Sequence, residues 1–157
     1  AESWRFSAIA PSTRSLGADT GGDSSAAARE QAALLRQGSG QPLALVSGGE
    51  TSVRLPPDSQ GRGGRNTHFA LSLAVELWDR PGLAALCADT DGIDGSSDAA
   101  GAFITPQLFR QASRAEGELA LRRHDSAGFF RRHGHLLETG PTGTNVNDLR
   151  LILLDSE

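Results

Sequence analysis

Glycines, hydroxyls and carboxylates are concentrated in three segments that could bind an anionic ligand. The first combines SGGE, Ser47 to Glu50, with GRGGRN, Gly61 to Asn66. Consecutive glycines let backbone N–H groups converge on an anion, and the planar guanidinium of Arg65 suits carboxylate or phosphate. We predict Arg65 to be catalytic, and we predict a substrate- or phosphate-binding set in the same segment: Ser47, Gly48, Gly49, Glu50, Gly63, Gly64 and Asn66. The alternative is a flexible loop with a solvated arginine.

The second segment, DTDGIDGSSD, places four carboxylates between Asp89 and Asp98. Carboxylates this close repel one another unless a cation, hydrogen-bond donors or solvent offset their charge, and oxygen-rich clusters suit Mg²⁺ or Ca²⁺. We predict Asp91 and Asp94 to be catalytic and to be the metal ligands. The alternative is that aspartates only form turns and helix caps. We expect this for Asp98, which precedes Ala99–Ala100.

The third segment, TGPTGTNVND from Thr139 to Asp148, is rich in hydroxyls, amides and glycines. It is not a Walker A loop, because the GK[ST] ending is missing and all 15 basic residues of the chain are arginines. Its neutral donors suit a hydroxylated or phosphorylated ligand. The alternative is a hairpin held by its own side chains. The predicted substrate- or phosphate-binding residues here are Thr139, Gly140, Thr142, Gly143, Thr144 and Asn145.

Apolar runs and amphipathic stretches must position these loops. Buried strands are predicted at Leu43–Ser47, Leu83–Ala88 and Leu149–Leu154, with helices at Ser24–Arg36 and Asn66–Leu77. Asn66 is the expected N-cap of the second helix. Shorter strands are predicted at Trp4–Ile9, Thr51–Leu55 and His135–Leu137. A helix is predicted at Thr105–Ala115, and one or two short helices, broken near Asp125 and Ser126, over Leu119–His133. This alternation predicts one domain over residues 1–157, a three-layer α/β/α fold with a mixed, mostly parallel sheet.

Composition excludes several classes of function. The net charge of -4 argues against a general nucleic-acid-binding surface. No apolar run approaches the roughly 18 residues of a membrane span, and we find no signal peptide. The single cysteine, Cys87, lies in an apolar run, so we expect a reducing cytoplasm. A nicotinamide site is unsupported, because no GxGxxG fingerprint follows a predicted strand.

Four strings, SGGETSV, GRGGRN, TDGIDGSSDAAGA and TGPTGTNVNDL, together resemble the MOFRL domain, the C-terminal part of the glycerate 2-kinase family. Older usage calls that family hydroxypyruvate reductase. The resemblance covers Leu43 to Leu154, and residues 1–40 match less clearly. The chain departs from the family at Thr67-His68, where Gln-Glu is usual, at Ser96-Ser97, where Pro-Thr is usual, and at Asp89, where Gly is frequent. The family therefore implies no role for His68 or Asp89.

The resemblance implies ATP- and Mg²⁺-dependent phosphorylation of D-glycerate to 2-phosphoglycerate. It also implies a larger N-terminal kinase domain that supplies a lysine and the other wall of the active-site cleft. We expect that domain to be absent from these residues, so the isolated chain should fold without catalysing. Homo-oligomerisation is left open. The alternatives are a hydroxypyruvate reductase and a stand-alone anion-binding module.

Overall fold

The computed structural model describes residues 12–38, 41–80 and 82–155, which form a six-stranded sheet covered by helices. The strands are β1 Ser12–Ser15, β2 Leu43–Gly49, β3 Leu83–Asp89, β4 Gly101–Ile104, β5 Leu136–Leu137 and β6 Asp148–Leu154. The helices are α1 Ser24–Arg36, α2 Arg65–Glu76, α3 Pro106–Gln111, α4 Arg114–Arg122 and α5 Ser126–His133. The predicted α/β class is confirmed.

The sheet is mixed, as predicted, but the expectation that it is mostly parallel is wrong. Its strand order is β1-β2-β6-β3-β4-β5, and among the described strands only β1 and β2 pair in parallel. The sheet is mostly antiparallel because of the position of its last strand, β6. β2 and β3 run in the same direction across the α2 connection, but β6 inserts between them and pairs antiparallel with both. This insertion joins distant parts of the chain, so local apolar runs could not reveal it.

The described helices contribute to one core on one face of the sheet, so these residues form two layers rather than the predicted three. Alternation along β6 shows the two faces. Ile152 and Leu154 are buried in the core, whereas Leu149 and Leu151 lie on the opposite face and are 43% and 36% exposed. Strands covered on both sides lack such alternation.

Helix α2 is the central element of the core. All residues from Asn66 to Val75 are buried, because α2 packs against α1 on one side, α4 and α5 on another, and the sheet beneath. Each fully buried leucine or phenylalanine contributes about 2 kcal/mol by the hydrophobic effect. The helix is therefore firmly held, and its first residue, Arg65, starts from a fixed position at the edge of the sheet.

Helix boundaries follow the predictions closely in one case and differ in others. Helix α1 has the predicted bounds, with the Asp23 side chain accepting a hydrogen bond from the Ala26 N–H. Helix α2 begins one residue earlier than predicted, with Gly64 as N-cap, so the N-cap prediction for Asn66 is wrong. Two further expectations differ. Thr51–Leu55 forms only an isolated bridge at Ser52, and Thr105–Ala115 divides between α3 and α4. The predicted strand Trp4–Ile9 lies outside the described residues.

Candidate functional site

Strand register brings three carboxylates to one edge of the sheet. Asp148 begins β6 and lies between Gly49, the last residue of β2, and Asp89, the last residue of β3. Glu50 follows Gly49 directly. Because β2 and β3 end where β6 begins, their terminal acidic residues meet without any long loop.

Arg65 lies among these three carboxylates. Its Nε donates to both oxygens of Asp148, at 2.9 and 3.1 Å. Its Nη2 donates to Asp89 at 2.5 Å and to Glu50 at 3.3 Å. Burial opposes the charge, but the hydrogen bond and charge of Asp148, aided by Asp89 and Glu50, hold the pKa of Arg65 above its ordinary value. Arg65 is therefore a permanent cation.

Only one end of the Arg65 guanidinium remains available for a ligand. Nη1 makes no hydrogen bond to any residue that the structure describes, whereas Nε and Nη2 face carboxylates. The side chain is 27% exposed. A ligand anion can therefore bind through Nη1, and it cannot use the Nε–Nη2 edge unless the carboxylates move.

Asp94 stabilises the start of α2 and does not point into open space. Its carboxylate oxygens accept the backbone N–H groups of Asn66 and Thr67, each at 2.8 Å, and the residue is fully buried. Burial raises the pKa of Asp94, while those amide hydrogen bonds favour its charged form. The positive end of the helix dipole is therefore already faced by the Asp94 carboxylate, which occupies two of the first N–H groups of α2.

The helix cap predicted at Asp98 is wrong. Asp98 is exposed, and no helix begins at Ala99 in the described structure, because residues 97–100 form bends that lead into β4. Within this segment it is Asp94 that caps a helix, and that helix is α2, which lies in a different part of the chain. The sequence neighbourhood of an aspartate did not show which helix it caps.

Three backbone amides of the glycine-rich GRGGRN segment donate to side chains elsewhere in the protein. The N–H of Arg62 donates to Asp125, that of Gly63 to the Ser96 hydroxyl, and that of Gly64 to the Thr67 hydroxyl. A methyl group at Gly64 would overlap the backbone of Asp94. These glycines allow close loop packing, and their engaged amides do not form the open anion nest expected from the sequence.

The SGGE residues likewise make internal contacts. The Ser47 hydroxyl bonds to Gln31 at 3.0 Å, and Gly48 lies against the backbone of Asp148. Gly49 has φ +104° and packs so closely on Thr20 that a side chain there would overlap its backbone. Of this segment, only Glu50 contacts Arg65 directly.

The second and third polar segments pack against each other. Asp91 accepts the Ile93 N–H through Oδ1 at 2.8 Å, and its backbone carbonyl accepts the Thr142 N–H at 3.0 Å. The Thr142 hydroxyl donates to the Thr90 carbonyl. Asp91 Oδ2 makes no hydrogen bond within the described chain. Of the remaining predicted residues of the third segment, Gly140 is half-buried and the others are exposed: Thr139, Gly143, Thr144 and Asn145.

A cavity of about 320 Å³ lies beside Arg65, lined by residues of the GRGGRN part of the first polar segment and by Gly95 and Ser96 of the second. Its walls include Arg65, His68, Ser96, His124 and Ser126, whereas no residue of the Thr139–Asn145 segment reaches it. The three predicted segments therefore do not surround one pocket. Arg65 connects the cavity with the carboxylates at the sheet edge.

His68 contributes a neutral imidazole to this cavity. Its Nε2 lies 2.9 Å from the Ser25 hydroxyl, and its ring stacks on that of His124 at 5.9 Å between centroids. Burial, with a smaller effect from His124, lowers the pKa of His68 to about 4. At pH 7 it is uncharged, so Arg65 is the permanent cation in this wall.

The described residues do not fit a magnesium site by themselves. No group of three or more His, Cys, Asp or Glu side chains within 12–38, 41–80 and 82–155 is arranged to hold a metal ion. Glu50, Asp89 and Asp148 surround Arg65, and Asp94 binds backbone amides. Of the two predicted metal ligands, only Asp91 keeps an unbonded oxygen.

Sequence reasoning assigned no role to Asp148 and overlooked Arg150. Both side chains are completely buried and lie 2.7 Å apart. The string DLRLILL could have revealed them. Alternate residues of a strand face the same side, so Asp148 and Arg150 lie on the core face together with Ile152 and Leu154. Two opposite charges on the core side of a strand indicate a buried ion pair.

Comparisons with known proteins agree on one family. The model of the MOFRL family matches residues 43–148. A protein of Agrobacterium vitis named as a hydroxypyruvate reductase is 54% identical over 115 residues, which cover 72% of this chain and 30% of that protein. The D-glycerate 2-kinase of Thermotoga maritima is 43% identical over 117 residues, 73% of this chain and 27% of that protein.

A solved structure gives the same result at the level of fold. The crystal structure of glycerate kinase from Thermotoga maritima superposes with a TM-score of 0.81 and 33% identity, over 92% of this chain and 36% of that one. The chain thus spans less than a third of the length of the two relatives named above. No helix in the described ranges is long and apolar enough to cross a membrane.

Proposed function

This chain belongs to the MOFRL family, and we propose that it is the C-terminal active-site domain of a glycerate 2-kinase that phosphorylates D-glycerate to 2-phosphoglycerate. The proposal depends on how the Arg65 guanidinium is bound and where it lies. Three carboxylates hold its Nε and Nη2, while Nη1 remains available and the side chain lines a cavity large enough for a small hydroxy acid.

The chemistry of phosphoryl transfer needs such a group. It depends on positioning and on neutralising charge more than on covalent catalysis by the protein. A fixed cation at Nη1 would bind the glycerate carboxylate or an oxygen of the transferred phosphoryl group. The reaction also needs an acceptor for the proton of the substrate hydroxyl, and none of the described carboxylates lines the cavity itself. Of the two predicted carboxylates, Asp91 keeps one oxygen without a hydrogen bond in the described chain, whereas both oxygens of Asp94 accept backbone amides, so we assign the proton to Asp91.

ATP and Mg²⁺ are the cofactors that this function requires, and the kinase names of the relatives support ATP. When bound, Mg²⁺ would neutralise charge on the nucleotide phosphates. The residues described here do not hold the ion by themselves. The share of the relatives' length that this chain covers supports a second, N-terminal kinase domain as partner across the cleft. We further propose a cytoplasmic enzyme, consistent with a free, buried Cys87.

A reductase is the second candidate, since a 54% identical relative is named as a hydroxypyruvate reductase. The two functions differ in product. We expect the naturally occurring polypeptide to form ADP when given D-glycerate and ATP, and to leave NADH unoxidised when given hydroxypyruvate. NADH oxidation without glycerate-dependent ADP formation would instead favour the reductase. Weak ligand binding with neither reaction would favour a stand-alone binding module.

A further inference from the structure

A completely buried carboxylate lies between two arginines at the site. Both Asp148 and Arg150 have 0% side-chain exposure, and Arg150 Nη2 donates to Asp148 Oδ2 at 2.7 Å. The same Nη2 also donates to the Thr51 hydroxyl at 3.2 Å. The guanidinium carbon of Arg150 lies 4.8 Å from the ring centroid of Phe69, a favourable cation–π arrangement. Arg150 is thus fixed by packing as well as by its charge partner.

Burying this ion pair carries a large desolvation free energy. Desolvating two charges costs several kcal/mol each, and a buried ion pair repays this only when its remaining polar atoms are satisfied. Here Arg150 Nε and Nη1 have no partner among the described residues, and neither does Asn66 Oδ1. Apolar side chains at both positions would stabilise a core equally well. Stability alone therefore does not account for the pair.

The contacts of Asp148 indicate what it does. Its Oδ1 accepts both Arg65 Nε and Asn66 Nδ2 at 2.9 Å, while Oδ2 faces Arg150 and also Arg65. The first two residues of α2 are therefore bound to one buried carboxylate. Without Arg150, that carboxylate would have to be compensated by Arg65 alone.

The other two acidic partners of Arg65 cannot provide the same constraint. Glu50 is half-exposed and lies at 3.3 Å, and exposed ion pairs of this kind contribute little. Asp89 is also buried and accepts from Nη2 at 2.5 Å, but it contacts only that nitrogen of Arg65. Asp148 is the partner that accepts hydrogen bonds from Nε, so it determines the orientation of the guanidinium plane and therefore the direction of Nη1.

We propose that Asp148, held in place by Arg150, is a positioning residue that fixes the Arg65 guanidinium with Nη1 directed to the ligand. The expected effect of Asp148 on catalysis rests on the proposed function. Its structural part is independent of that function: Asp148 forms a preorganised guanidinium-binding position that exists whether or not Arg65 acts in catalysis.

A double-mutant cycle tests the catalytic consequence in the naturally occurring polypeptide. Wild type, Arg65→Lys, Asp148→Asn and the double variant are compared by kcat/KM for D-glycerate. We expect Asp148→Asn to lower kcat/KM at least about tenfold when Arg65 is present, and by less than about threefold in the Arg65→Lys background. A merely structural role would give equal losses in both backgrounds, and that result would overturn the proposal.

The chain offers controls for folding. Asp98→Asn changes an exposed aspartate of the neighbouring segment and should leave kcat/KM unchanged. If Asp148→Asn does not fold, Asp148→Asn with Arg150→Met removes both buried charges together, a change that folds tolerate better than leaving one charge unpaired. This neutral pair then takes the place of Asp148→Asn in the cycle.

Guanidinium binding tests the structural part without any activity. Arg65→Ala leaves a position bounded by Asp148, Asp89 and Glu50 that free guanidinium can fill. We expect 20 mM guanidinium chloride, compared with 20 mM NaCl, to raise the Tm of Arg65→Ala by about 2 °C, with no rise in Arg65→Ala/Asp148→Asn. Equal responses in both variants would overturn the positioning role. A rise confined to Arg65→Ala, together with normal kcat/KM in Arg65→Lys, would leave the positioning role standing and refute the proposed function of Arg65.

Discussion

Replacing Asp94 with asparagine removes the carboxylate that binds the first backbone amides of α2. The sequence favours a catalytic or metal-binding role, so Asp94→Asn should lower kcat with little change in stability. The structure predicts a loss of stability, because the carboxylate accepts the N–H groups of Asn66 and Thr67, both at 2.8 Å, at the start of the central helix α2. The two readings can be separated in one variant.

The expected size follows from these two hydrogen bonds. Each bond to a charged acceptor contributes about 1.5–3 kcal/mol. Asparagine keeps one accepting oxygen and places its NH₂ against the other N–H, so one bond is lost. Burial of the carboxylate, which raises the pKa of Asp94, offsets part of the loss, because neutral asparagine is less costly to bury. We therefore expect a loss of about 2 kcal/mol, at the lower end of that range.

Urea denaturation measures this directly, supported by a fall in Tm of about 6 °C. Asp98→Asn is the matched control and should change the free energy of unfolding by less than about 0.5 kcal/mol, because Asp98 is exposed. An Asp94→Asn protein with wild-type stability and a strongly reduced kcat would refute the capping role and restore the catalytic one.

Two further predictions concern residues around the site. The pKa of His68 is about 4 in the folded protein against an ordinary value of 6.5, so the fold favours the neutral ring. The stability that this gives is fully present above pH 6.5. As the pH falls toward 4, the free energy of unfolding should decrease by about 3 kcal/mol. His68→Gln should remove that dependence in pH-dependent denaturation, and an unchanged profile would show that His68 is not the responsible group. Gly92→Ala should cost about 3 kcal/mol, because φ is +93° and the added methyl would overlap the Gly140 carbonyl. Gly17→Ala, with φ +81° and open space around it, should cost only about 1 kcal/mol, and equal costs would argue against close packing of the two loops.

Local features of the fold could be predicted, whereas the arrangement of the sheet could not. The bounds of α1 follow from Asp23 as cap and an amphipathic pattern over Ser24–Arg36, both of which are local. The position of β6 between β2 and β3 depends on pairing with strands about 65 and 105 residues away, which no local pattern encodes. Strand direction was therefore the part of the fold that the sequence left undetermined.

The same division applies to the site. Arg65 was predicted to bind an anion from its place between glycines and Asn66, and the structure places it in the wall of the cavity. The availability of the neighbouring amides could not, because it depends on partners in other segments, such as Ser96 for Gly63 and Asp94 for Asn66. The alternation in DLRLILL could have indicated that Asp148 is buried, but its position beside Gly49 and Asp89 depends on the strand register.

The central claim is that Arg65 provides the anion contact of a glycerate kinase site, and one comparison tests it most directly. kcat/KM for D-glycerate is measured in the naturally occurring polypeptide carrying Arg65→Lys and, as control, Arg62→Lys, which changes an exposed arginine of the same GRGGRN motif. We predict about a hundredfold loss for Arg65→Lys, since a point charge cannot keep the Asp148 and Asp89 contacts while presenting a fixed donor to the ligand, and no loss for Arg62→Lys. Near-normal kcat/KM in Arg65→Lys would contradict the claim.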